Sequence, residues 1–158
     1  MNHLNRFEFQ RRLLFSFLAL LVLAGCTVQY VSRYDEATER SITSIQRQVE
    51  TLLQEIEQSL GTPEAAYENY ADAYKQLHID AAMLHTRAQA IDFNRITIEQ
   101  SQELIGWLNN LEVLHKSGIN TGALLAIPRQ QAEQIFVAML KFELAKKRQF
   151  DSAITNGE

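Results

Sequence analysis

A glutamate and a histidine three residues apart on one helix can aim a carboxylate and an imidazole at the same metal ion, and Glu112 and His115 have that spacing. A di-metal bundle needs a second such motif and two more inward glutamates. Glu133 and Glu143 are available, but no histidine follows either at the right step. His115 also lies beside Gly118, where its helix should end, so Glu112 and His115 are expected as a solvated surface pair. His78 and His85, seven residues apart, share one side of a helix and flank a Leu77/Leu84 stripe. Two imidazoles two turns apart need a third ligand from another helix, so these are expected as boundary residues at the core edge. A metal- or small-ligand-binding bundle would have to draw on Glu112, His115, His78 and His85. The sequence favours no metal site. Tyr67, Tyr70 and Tyr74, spaced 3 and 4, read as core residues whose hydroxyls reach the rim. The chain has no Cys-x-x-Cys-His, no Gly-rich phosphate loop and no serine nucleophile motif. The expectation is a protein that is not an enzyme and carries no catalytic residues.

The remaining reactive side chain is Cys26, the sole cysteine. Arg6, Arg11 and Arg12, opposed by Glu8, precede an apolar run from Leu13 to Leu23 broken only by Ser16. That run is shorter than the roughly 20 residues of a spanning helix. The small residues Ala24 and Gly25 then lead into Cys26, which is the order of parts in a secretory signal. Leu23-Ala24-Gly25-Cys26 resembles the lipobox of bacterial lipoproteins. The resemblance implies that the Cys26 thiol is joined to diacylglycerol and that residues 1–25 are cleaved away. It thus implies a bilayer anchor at Cys26, and no cofactor beyond this covalent lipid. Thr27, not aspartate, follows the cysteine, as in outer-membrane sorting in enteric bacteria. The implied location is the outer membrane facing the periplasm, with the inner membrane and surface display as alternatives. Across the rest of the chain the resemblance to helical bacterial lipoproteins rests on architecture and carries over no site residues.

The organisation that follows is a signal peptide over 1–25, a lipidated tether over 26–34 and a helical domain over 35–158. From Cys26 onward there are 12 basic and 18 acidic residues, a formal charge of −6, which argues against nucleic acid as a partner. Only Pro63 and Pro128 interrupt the chain, and glycine is sparse, so the composition is helical. Thr27 to Tyr34 is a tether of about 25–30 Å when extended, on which Tyr30 and Tyr34 could sit at headgroup level.

Four helices are legible from their apolar stripes. The first covers about 35–60, with Ile42, Ile45, Val49, Leu52 and Ile56 on one face, and Gly61 as its left-handed stop. The second covers about 63–91, started by Thr62 and Pro63, with Tyr67, Tyr70, Tyr74, Leu77, Ala81, Leu84, Ala88 and Ile91 in 3–4 alternation. The third begins near Thr97, where Thr97 and Gln100 have capping-box spacing, and ends at Gly118. Leu104, Ile105, Leu108, Leu111 and Leu114 face inward, with Trp107 flanking them. The fourth runs from Pro128 to about Gln149, with Ala132, Ile135, Met139 and Phe142 facing the core. Lys146, Lys147 and Arg148 stand in its last turns, where they complement the helix dipole or touch anionic lipid. Between helices three and four, the apolar segment 118–127 is expected to fold over one end. The fold class is all-α, an up-down antiparallel four-helix bundle; a three-helix bundle or a coiled-coil hairpin is the alternative.

The fourth helix carries one more signal. Nine of eleven positions from Ile135 to Ala145 are apolar, and Val137, Leu140 and Leu144 form a second face. A helix apolar nearly all round is covered on more than one side. Either it is central in the bundle, or Val137, Leu140 and Leu144 meet a partner, an envelope protein or a second copy. The functional expectation is a membrane-anchored adaptor or assembly factor of the Gram-negative envelope, with the metal- or ligand-binding bundle as alternative.

Overall fold

The computed structural model describes residues 31–155. The expected signal peptide, Cys26, Tyr30 and the start of the expected tether lie outside the described residues. What is described is an all-α bundle of four helices: α1 (Glu36–Ser59), α2 (Ala71–Gln89), α3 (Arg95–Lys116) and α4 (Ala123–Thr155).

The first helix starts where Asp35, in extended backbone, accepts from the Thr38 amide (3.1 Å) and the Thr38 hydroxyl (2.6 Å). This is N-capping by a side-chain oxygen. Arg87, from the far end of α2, closes on the same carboxylate at 2.6 and 2.9 Å and holds its pKa well below the usual range. Tyr34 packs against the bundle. It is half-buried, its hydroxyl donates to Glu39, and the Lys147 ammonium lies 5.2 Å over its ring. The expected stripe from Ile42 to Ile56 is buried throughout, and Gly61 (φ +81°) turns the chain.

The second helix is shorter than its stripe suggests. Residues Pro63–Ala65 and Tyr67–Tyr70 form two 3₁₀ turns, separated by an extended Ala66, before α2 proper begins at Ala71. Asn69 Nδ2 donates to the carbonyls of Pro63 and Glu64. A spacing of three suits a 3₁₀ turn as well as an α-helix, so the tyrosines alone could not separate them.

Helix α3 begins at Arg95, two residues before the expected cap. Thr97 is buried inside its first turn, and its hydroxyl donates to Glu143 across the bundle (3.0 Å) instead of capping. Gly118 (φ +98°) ends this helix as expected.

Helix α4 starts at Ala123, five residues before Pro128, and continues past Gln149 to Thr155. Pro128 removes one backbone bond, to the Leu124 carbonyl, without ending the helix. Ile119 and Leu125 are buried under the bundle end, while Leu124 and Ile127 are exposed. The inward face of α4 is also rotated from the expected one: Phe136, not Phe142, is fully buried, and the stripe continues through Glu143 and Lys146. Lys146 therefore does not serve the C-terminal dipole. It is 5% exposed and more than two turns from the helix end.

Cross-helix pairs fix the direction of each neighbour. Asp35–Arg87 and Gln48–Asp80 set α1 antiparallel to α2, and Tyr74–His115 and His85–Ser101 set α2 antiparallel to α3. Trp107–Pro128 and Thr97–Glu143 do the same for α3 and α4, and Arg129–Glu50 with Lys147–Tyr34 for α1 and α4. One core runs down the middle, from Ile42 and Leu104 to Tyr74 and Leu111.

Candidate functional site

Glu112 is a hub with three partners. Its Oε1 accepts from the Tyr67 hydroxyl and the Lys116 ammonium, each at 2.7 Å, and its Oε2 bonds His78 Nε2 at 2.7 Å. The bonds from Lys116 and then Tyr67 hold its pKa down to about 2. Lys116 also lies 4.6 Å over the Tyr67 ring.

His115 does not join this hub, and the expected solvated pair is corrected on both members. It is 2% exposed, with Nε2–H donating to the Ala65 carbonyl (2.8 Å). That leaves Nδ1 to accept from the Tyr74 hydroxyl at 3.1 Å. Rings of Tyr67, Tyr70 and Tyr74 surround it with centroids 5.3–5.9 Å away. Burial pushes the Tyr74 hydroxyl pKa up. The physical reason for the correction is the 3₁₀ segment, which lays Ala65 and two tyrosines over the end of α3.

The tyrosines match their expected role only in part: Tyr74 is fully buried, and Tyr67 and Tyr70 are at the rim with hydroxyls on Glu112 and Ser59. His85 sits apart from His78, bonding Ser101 Oγ at 2.9 Å. Among the described residues no group of three or more His, Cys, Asp or Glu is placed to hold a metal ion. A cavity of about 350 Å³ beside the cluster is lined by Pro63, Tyr67, His115, Lys116 and Ile119. Every polar atom named in the cluster has a partner within it, so its evident work is to pin residues 63–70 to α3.

The second face of α4 is open. Val137 is 39% and Leu144 43% exposed, while Leu140 between them is half-buried against the core. Helix α4 is thus not the central helix; it contacts α1 and α3 and leaves this strip uncovered.

Two features escaped the sequence. The first is a groove between α3 and α4, made of adjoining cavities of about 330 and 530 Å³ that share Trp107, Asn110 and Gln131. Gly106 and Ala138 line the larger of the two, and Trp107 lines both, with Nε1–H donating to the Pro128 carbonyl at 3.1 Å. A glycine inside a helix next to a lone tryptophan was the available signal. The second is a buried polar knot. Lys146 Nζ donates to Glu143 Oε1 (2.7 Å), Asn94 Oδ1 (2.8 Å) and Thr97 Oγ1 (3.1 Å), and Ser32 Oγ also donates to Asn94 Oδ1 (2.8 Å). Polar residues at inward positions 94, 97, 143 and 146 carry it, each unremarkable alone.

No family model, no curated protein and no solved structure matches the chain.

Proposed function

We propose that this protein is a helical lipoprotein, held on the outer membrane by an acylated Cys26, that binds an envelope protein on the periplasmic side as an adaptor or assembly factor. The observation that carries the docking role is the uncovered strip of α4. The core closes through Ala132, Phe136 and Met139, so Val137 and Leu144 are large apolar side chains that the fold leaves uncovered. Scattered exposed apolar residues are ordinary on a surface. Here two stand two turns apart on one helix, on either side of a half-buried leucine. Among the described residues no helix is long and apolar enough to cross a membrane, so attachment in this reading rests on the lipid at Cys26.

The test is cross-linking in cells, with Val137→Asp and Leu144→Asp compared against the native chain. Both variants should keep native helicity and melting temperature and lose one specific cross-linked envelope protein. Unfolding of either variant would mean that the strip is core, and an unchanged cross-linked set would remove it as the docking surface.

A further inference from the structure

Three features meet at one end of the bundle. The first is the way the chain enters. The Ser32 amide donates to the Phe93 carbonyl (3.0 Å), its hydroxyl donates to Asn94, and Ser32 is 4% exposed. The chain is therefore fixed to the α2–α3 turn six residues after Cys26. Six residues reach at most about 20 Å. Helix α1, with 24 residues, is about 36 Å long. If Cys26 is in a bilayer, as the function proposed above holds, this end stays within reach of the surface and the bundle cannot stand upright on its tyrosine–histidine end.

The second feature is Phe93. Its φ is +58°, a left-handed conformation that bulky side chains seldom adopt, and the residue is 63% exposed. Glycine would make the turn with less strain, so what phenylalanine adds is an aromatic ring displayed beside the entering chain. Ile96 (39% exposed), the second residue of α3, and Phe150 (41%), near the C-terminal end of α4, stand at the same end.

The third feature is charge. Residues 31–40, 87–99 and 143–155 hold seven basic and seven acidic side chains, whereas the remainder of 31–155 holds five basic and ten acidic. An acidic body is repelled by anionic lipid, and this end is where that repulsion is cancelled.

We propose that this end is a bilayer-contact surface. Phe93, Ile96 and Phe150 seat at the boundary of headgroups and acyl chains, Lys147 and Arg148 lie among the phosphates, and the bundle stands end-on. The occupant is a phospholipid surface, and the proposal rests on acylation of Cys26. Amphipathic contact of this kind adds to a covalent lipid and gives it a fixed orientation.

The test uses the acylated mature chain in vesicles of phosphatidylethanolamine and phosphatidylglycerol. Because Cys26 is the sole cysteine and is consumed by lipid, one introduced cysteine takes a spin label at a unique site. Labels are placed by Gln149→Cys at the proposed contact, Val137→Cys midway and Glu68→Cys at the far end, and depth is read from oxygen and aqueous-nickel accessibility. The label at 149 should be lipid-immersed, those at 137 and 68 aqueous. Phe93→Gly, which relieves the backbone and preserves the fold, should move the label at 149 toward water. An aqueous label at 149 with the acyl mass present on Cys26 overturns the contact and leaves the anchor standing. Equal immersion at 137 and 149 overturns end-on seating, and unchanged depth in Phe93→Gly removes Phe93 from the surface. Absence of the acyl mass overturns the anchor itself and this proposal with it.

Discussion

Replacing Lys146 with methionine should be among the most damaging conservative changes in this protein. The lysine is 5% and its partner Glu143 1% exposed. The three ammonium hydrogens of Lys146 are all used, on Glu143, Asn94 and Thr97. Methionine fills the same volume but leaves the Glu143 carboxylate with the Thr97 hydroxyl as its only described donor, and Glu143 Oε2 is buried without a partner even in the native chain. Breaking a buried pair from one side costs about 3–5 kcal/mol. A domain of this size has a total stability of roughly 5–15 kcal/mol. At about 3–5 °C per kcal/mol, the melting temperature should fall by about 10–20 °C. Removing both charges at once, as Lys146→Met with Glu143→Leu, should restore most of the loss, because replacing a buried pair by apolar groups is close to neutral. The assay is urea and thermal unfolding followed by far-ultraviolet circular dichroism on the native, single and double variants. A single variant within about 1 kcal/mol of native, or a double variant no more stable than the single, would refute the burial argument.

Glu112→Gln should flatten the acid limb of stability. The native carboxyl has its pKa lowered from 4.5 to about 2, so its contribution is present above about pH 4.5 and is lost as pH falls toward 2. Lys116 is half exposed, which reduces the effect to about 1–2 kcal/mol at neutral pH; unfolding curves from pH 7 to 2 measure it. Phe93→Gly should raise stability by about 0.5–1 kcal/mol, the relief of left-handed strain less the added freedom of the unfolded chain. A fall in its urea midpoint would contradict the strain. Gly106→Ala should stabilise by about 0.5–1 kcal/mol, since a Cβ there meets nothing within 4 Å, and the denaturation midpoint reports it.

How much of this was legible depends on what each residue answers to. The α1 stripe was readable because Ile42, Ile45, Val49, Leu52 and Ile56 alternate against a polar remainder, so one face alone could be inward. In α4 the same logic failed, because nine apolar positions in eleven fit several registers. What selected Phe136 over Phe142 was the buried pair Glu143–Lys146, and its partners Asn94 and Thr97 belong to another helix. The burial of His115 is not legible for the same reason. Its burial depends on the Ala65 carbonyl and the Tyr74 hydroxyl, 50 and 41 residues away, and no local pattern encodes either. The core-edge position of His78 and His85 is legible because the Leu77/Leu84 stripe fixes their angle. Their partners, Glu112 and Ser101, lie on a different helix and were not foreseen.

The Ser32 clamp also decides how the molecule bears mechanical load. A pull on the chain at its N-terminal side is not delivered first to the opening turn of α1, the weakest point of a helix end. It reaches Ser32, whose amide is tied to Phe93 and whose hydroxyl is tied to Asn94, which in turn bonds Lys146 on α4. Tension is therefore divided among the α2–α3 turn and α4 before α1 is stressed. Asp35, held by Arg87, is a second rivet three residues further on. Peeling the bundle from this end requires breaking buried polar bonds together rather than one after another, so the domain should resist as a block, without unzipping.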